Sequence, residues 1–144
     1  MNENMANYQY TIDLPMPSPE LSPQDVIGLI MESLRQNDKE DTGIETTFNF
    51  ASPANKLAAG PLVNYKHQVK NPLFQPILNF TSYKTSDLVS DGECAQQIII
   101  TRSEEGWDSG FLFTLTKQDA EPYTDCWMID SVRRVNPKMY GVTV

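Results

Sequence analysis

Val26, Ile27, Ile30, Met31 and Leu34 recur at the helical period, so one stripe of a helix running to about Asn37 faces a core. Just before it, Ser22-Pro23-Gln24-Asp25 supplies a capping hydroxyl, a proline at the first helical position and an early acid. All three suit the orphan N–H groups of a helix start. After the charged turn DKEDTG at 38–43, Ile44, Phe48 and Ala51 predict a short second helix, weakened by its threonines. Pro53 cannot continue that helix and drives Ser52 out of the α region, so the helix ends near Ala51. Pro61, preceded by Gly60, opens a third helix in which Leu62, Tyr65 and Val69 share a face, and Asn71-Pro72 stops it. The intervening stretch reads as a connector with a structural task, in which Ser52 and Asn55 bond loop backbone groups.

After Pro76 the period changes from helical to extended. Residues 77–84 and 86–89 read as strands, and CAQQIIITR at 94–102 is compact and β-branched. Ser103-Glu104-Glu105-Gly106 makes a hairpin loop, beyond which residues 107–117 set Phe111, Phe113 and Leu115 against Leu112, Thr114 and Thr116. A polar loop at 118–124 leads to a last strand, CWMIDSVRR. Strict alternation puts Trp127 and Ile129 on one face and Met128 and Val132 on the other. Large residues on both faces call for cover on both faces. Helices first and an antiparallel meander second is α+β, with the helices packed on one side of a curved sheet. The remaining sheet face then needs a partner subunit or a ligand to cover its apolar residues.

Residues 1–21 hold Pro15, Pro17 and Pro19 among polar residues and are assigned to a flexible arm. The folded domain is placed at 22–136 and a tail at 137–144. The chain has 144 residues, 11 Lys+Arg against 19 Asp+Glu and a net charge of −8. That is enough length for one self-sufficient core and the reverse of the basic footprint a nucleic-acid partner demands. No Lys or Arg precedes Arg35, no signal-type apolar run opens the sequence, and no apolar run approaches the roughly 20 residues of a membrane span. A cytoplasmic protein without membrane or nucleic-acid partners is the expectation. Cys94 and Cys126 lie far apart without a CxxC pair and are expected as small buried thiols on neighbouring strands. Asn79-Phe80-Thr81 matches a glycosylation sequon by chance.

With that element order established, FNFASPAN at 48–55, the Gly60-Pro61 pair, PLFQPIL at 72–78 and CWMIDSVRRV at 126–135 resemble an uncharacterised family within the nuclear-transport-factor-two-like superfamily. The resemblance covers about residues 22–136. It implies a cone-shaped α+β barrel, with N-terminal helices on a strongly curved antiparallel sheet, a pocket between helices and sheet, and a homodimer formed through the sheet face. Some branches of the superfamily, the ketosteroid-isomerase and polyketide-cyclase ones, are enzymes. Fold analogy alone does not carry their chemistry over.

An isomerase-type site needs a carboxylate base in an apolar pocket and a hydroxyl that donates to the developing oxyanion. Asp130 is the best carboxylate, and Tyr65 and Tyr83 are the candidate donors; pairing of Asp130 with Arg133 or Arg134 is the competing role. His67, the only histidine, falls opposite the Leu62/Tyr65/Val69 face, among solvent-facing positions. Trp107, Trp127 and Met128 are candidates for lining a ligand or partner surface, weighed against the usual core role of strand aromatics. No EF-hand, GxSxG, phosphate-loop or GxGxxG pattern is present, so no metal or cofactor is predicted. The leading expectation is a non-catalytic binding or scaffold protein that homodimerises around a small apolar ligand or a protein partner. The alternative is a small-molecule isomerase, cyclase or dehydratase.

Overall fold

The computed structural model describes residues 13–142. Among these, four helices pack with a five-stranded antiparallel sheet that is not closed into a barrel: α1 (Pro23–Arg35), α2 (Thr42–Asn49), α3 (Pro53–Ala59), α4 (Leu62–Lys70), β1 (Ser82–Thr85), β2 (Val89–Ser90), β3 (Cys94–Arg102), β4 (Asp108–Lys117) and β5 (Trp127–Val135). The sheet order is β1-β3-β4-β5, with β2 also pairing β3.

The start of α1 is as its sequence reads. Ser22 Oγ accepts from the Asp25 N–H at 3.1 Å while an Asp25 carboxylate oxygen accepts from the Ser22 N–H at 2.9 Å, a complete capping box. All five residues of the apolar stripe are buried. α2 crosses α1 at Gly43, where an added Cβ would stand 2.2 Å from the Ser33 carbonyl oxygen, so only glycine permits this approach. Asn79, in the left-handed region at φ 51°, closes the other end of α1: its backbone N–H donates to Leu34 O, and its side-chain amide to Arg35 O and Asn37 O. The sequon asparagine therefore serves as a helix cap.

The connector is a helix. Pro53 occupies the first turn of α3, Ser52 Oγ accepts from the Asn55 N–H at 3.2 Å, and Gly60 at φ 84° follows the last turn. Proline ends α2 and begins α3 by the same property, a fixed φ without a donor. Residues 75–77 form a 3-10 turn rather than the start of a strand, so the first strand is confined to Ser82–Thr85. The second edge segment is only Val89–Ser90. Of the expected arm, residues 1–12 lie outside the described residues, while Leu21 packs against the core.

The helix-facing side of the sheet carries Ala95, Ile99, Phe111, Phe113, Leu115, Trp127 and Ile129, all buried with α1 and α2 in one cluster. A smaller cluster, Ile98, Ile100 and Leu112, lies on the outer side, covered by Val135 and Val142. Residues 137–142 of the expected tail therefore pack on the fold. Pro137 opens a 3-10 turn, Pro137–Tyr140, and is itself buried. It sits over Gly110, where an added Cβ would come within 2.6 Å of the Pro137 ring.

Candidate functional site

FASPAN closes one edge of the sheet. Ile129 N donates to Phe50 O at 2.7 Å, and Ile129 O accepts from both Ser52 N at 2.8 Å and the Asn55 side-chain amide at 3.0 Å. Ala51 thereby pairs with Ile129 as a parallel bridge. The clamp sits beside a register break in which Ser131 faces Thr114 and Ile129 faces Leu115, leaving Asp130 as the extra residue of a β-bulge. The bulge overturns strict alternation. Val132 returns to the side of Trp127 and Ile129 and packs on the main core, while Met128 takes the outer side. Met128 is fully buried and Trp127 nearly so within a single chain, so the last strand needs no partner to cover either residue.

The Asp130 side chain makes neither a hydrogen bond nor an ion pair among the described residues. Of its two expected partners, Arg133 makes no ion pair among the described residues, and Arg134 lies over the Phe111 ring at 5.5 Å and donates to Leu73 O at 2.9 Å. Tyr65 is 8% exposed and packs against Phe48. Burial pushes its phenol above the usual range, so the hydroxyl stays protonated. It opens into a cleft of about 100 Å³ lined by Asn55, Tyr65, Gln68, Val69, Phe74 and Val132. Tyr83, partly exposed on β1 with its ring against Phe80, lines a different cleft with Lys84 and Arg102. Asp130 lines neither, so the three candidate catalytic residues do not meet in one cavity. His67 is exposed.

Trp107 stands in the hairpin loop rather than in a strand and is 74% exposed, at the rim of a separate cleft with Phe80 and Glu104. Trp107 and Trp127 therefore do not form a common wall. Cys94 is half-buried and Cys126 buried, both as free thiols. β4 lies between the strands they flank, so these are not neighbouring strands, and burial raises the Cys126 thiol. Among the described residues no three His, Cys, Asp or Glu side chains converge as metal donors, and no helix is long and apolar enough to cross a membrane.

The largest of the described clefts lies on the outer sheet face and is lined by none of the candidate site residues discussed above. It is a groove of about 590 Å³ running from Thr85, Asp87 and Val89 at the β1–β2 break, over Ile98 and Leu112, to Val142 of the C-terminal turn. Ile98 and Leu112 form an apolar floor, and Val89 and Tyr140 are exposed at the rim. The side-chain amide nitrogens of two further lining residues are engaged, Gln97 with Ser86 O at 2.7 Å and Gln96 with Thr114 Oγ1 at 3.1 Å. The Gln96 carbonyl oxygen has no hydrogen-bond partner among the described residues, whereas Gln97, one position on, carries its side chain to the helix side with Ala95 and Ile99; Asp87 is the only charged residue of the lining. Sequence reading missed this groove because its second wall comes from the segment assigned to a tail. Its one visible signal was the apolar residue at alternate positions of β3 and β4 on the outward side. No protein-family model matches the chain, and no curated protein or solved structure matches it.

Proposed function

We propose that the chain is a non-catalytic binding domain that holds a small, uncharged, largely apolar molecule in the outer-face groove. One observation carries the reading: the groove, at about 590 Å³ with a buried aliphatic floor, falls within the range of roughly 300–1,000 Å³ typical of ligand sites. The helix-side cleft, at about 100 Å³, falls well below it, and the cleft at Trp107, at about 380 Å³, has no buried aliphatic residue in its lining. The free side-chain carbonyl of Gln96 favours a ligand with a hydroxyl or N–H donor, since an acceptor left unpaired under a bound molecule costs affinity. The enzymatic alternative has less support, because Asp130, Tyr65 and Tyr83 share no cavity. A second copy of the chain is the competing occupant of the groove, and the homodimer implied by the resemblance would place it there.

The test is a backbone-amide NMR titration of the full chain with 2-naphthol, a neutral apolar probe carrying one donor. Shifts should gather at Gln96, Ile98, Leu112 and Val142 and vanish in Val142→Asp. Shifts confined to Tyr65, Val69 and Val132, or none with millimolar probe, would refute it. A dimer by native mass spectrometry that Val142→Asp converts to monomer would replace the ligand with a subunit interface.

A further inference from the structure

Charge is unevenly distributed along this chain. From residue 46 to residue 86 there is no Asp or Glu, although the sequence holds 19 of them elsewhere; the same stretch carries Lys56, Lys66, Lys70, Lys84 and the only histidine. In the fold these residues supply the end of α2, all of α3 and α4, the 3-10 turn and β1. Asp41 and Glu45, which reach α4, are paired with Lys70 and Lys66, so an acidic partner meets less repulsion along this stretch than along the rest of a chain of net charge −8.

The face is also apolar where it meets water. No residue of α3 is buried, and Leu57 is 87% exposed, with Val63 on α4 at 58% and Leu73 beyond it at 54%. Isolated exposed leucines need no explanation, but several on adjoining elements mark an interaction surface. Between these elements and β5 lies the 100 Å³ cleft of Tyr65, Phe74 and Val132, which has room for one apolar side chain and not for a whole ligand. Its walls are tied in place: the Asn55 amide donates to Ile129 O, Gln68 Nε2 to Ala59 O at 3.1 Å and Arg134 Nη1 to Leu73 O. A preformed slot for one side chain, next to elements that carry exposed apolar residues, is a form that interface hot spots take.

The cations complete the pattern. Lys66 and Lys70 are committed to Glu45 and Asp41. Lys56 lies over the rings of Phe48 and Tyr123, and Arg134 over Phe111; neither has a carboxylate partner among the described residues. The β4–β5 loop, with Asp119, Glu121 and Asp125, bounds the face beyond Tyr123, so a partner's acids must approach from the α3–α4 side. We infer that this face docks an acidic protein segment that inserts one apolar side chain into the Tyr65–Phe74–Val132 cleft, with Lys56 and Arg134 meeting its carboxylates. The inference stands apart from the groove, which opens on the opposite side of the sheet.

The experiment is selection of a displayed random 12-residue peptide library on the immobilised full chain, followed by affinity measurement of the enriched peptides as synthetic, soluble probes. Enriched peptides should combine a net negative charge with one recurrent aromatic or aliphatic anchor. Leu57→Glu should weaken them about tenfold and Lys56→Glu about threefold, and binding should fall several-fold between 50 and 300 mM salt. Both substituted side chains are solvent-accessible, so the variants test the surface and not the fold, which circular dichroism verifies. Enrichment without acidic bias, indifference to both variants, loss of binding in Val142→Asp, or no enrichment at all overturns the inference. So does Leu57-dependent co-sedimentation with phosphatidylserine vesicles in the absence of peptide binding, because the face would then serve a membrane surface.

Discussion

Removing the FASPAN clamp has a cost that follows from which groups it leaves unpaired. Ser52→Ala deletes the α3 cap on the Asn55 N–H, a change worth about 1 kcal/mol. Asn55→Ala deletes one of two donors to Ile129 O. The other, Ser52 N at 2.8 Å, remains, so the carbonyl is not orphaned and the loss stays near the net value of a hydrogen bond, again about 1 kcal/mol. The two residues belong to one network, so the double variant should depart from additivity, by about 0.5 kcal/mol or more. A total near 2 kcal/mol corresponds to a fall in melting temperature of roughly 6 °C for a chain of this size. Urea unfolding of the single and double variants, monitored by Trp fluorescence, measures all three quantities. Binding of 2-naphthol by the folded fraction should be unchanged, because neither residue lines the outer groove. A double variant that loses less than about 0.5 kcal/mol, or that loses probe binding at full stability, would refute the assignment of FASPAN as a purely structural clamp.

Gly43→Ala forces a methyl against the Ser33 carbonyl, and overpacking against backbone should cost about 2–3 kcal/mol by urea unfolding; a neutral result would mean that α1 and α2 can separate. Asp41, hydrogen-bonded to Lys70 at 2.7 Å, has its carboxyl held below the usual range by that contact. A depressed carboxylate stabilises the fold above its unfolded value of about 3.9, and the contribution drains as pH falls through the lower folded value. Asp41→Asn, which keeps a side chain tolerant of the left-handed backbone at φ 61°, should therefore flatten the loss of stability below about pH 4. Gly110→Ala crowds Pro137 and the Val135 carbonyl, so it should release the C-terminal turn and speed proteolysis after Lys138, with α1 unaffected. Tyr65→Phe should change stability by less than about 0.5 kcal/mol, since the hydroxyl has no hydrogen-bond partner among the described residues; a large loss would show that a partner exists.

α1 was legible because cap, proline, acid and apolar stripe agree, each for its own physical reason. α3 was not, although Ser52-Pro53 starts a helix as well as ending one. Its seven residues bury nothing, so no apolar period marks them, and the proline was read only as a stop. The bulge at Asp130 was equally hidden. It depends on Ile129 being bonded from its free edge by residues 50–55, a contact between segments more than seventy positions apart. That single irregularity moved Val132 to the helix side and left Asp130 without a cross-strand partner. The C-terminal turn depends on a missing side chain. Gly110 reads as one more scattered glycine until the register sets it under Pro137.

Where apolar surface remains uncovered follows from these closures. Residues 50–52 seal the β5 edge, the bulge keeps Val132 in the core, and Pro137–Val142 roof part of the outer face, so the chain has already hidden most of what its strands expose. The large hydrophobics that stay at least half exposed include Val89 and Tyr140 at the groove rim and Leu57, Val63 and Leu73 around α3 and α4. A fold that clamps one strand edge while leaving these two patches open is not short of means to bury them. The second patch lies in a run of 41 consecutive residues without Asp or Glu, and the first patch borders the largest of the described clefts, which has a buried aliphatic floor. Uncovered apolar area with distinct electrostatics on opposite sides of one sheet is better explained by two occupants than by one. Loss of 2-naphthol shifts in Val142→Asp with acidic-peptide binding intact, and the converse in Leu57→Glu, is the pattern that two independent surfaces require.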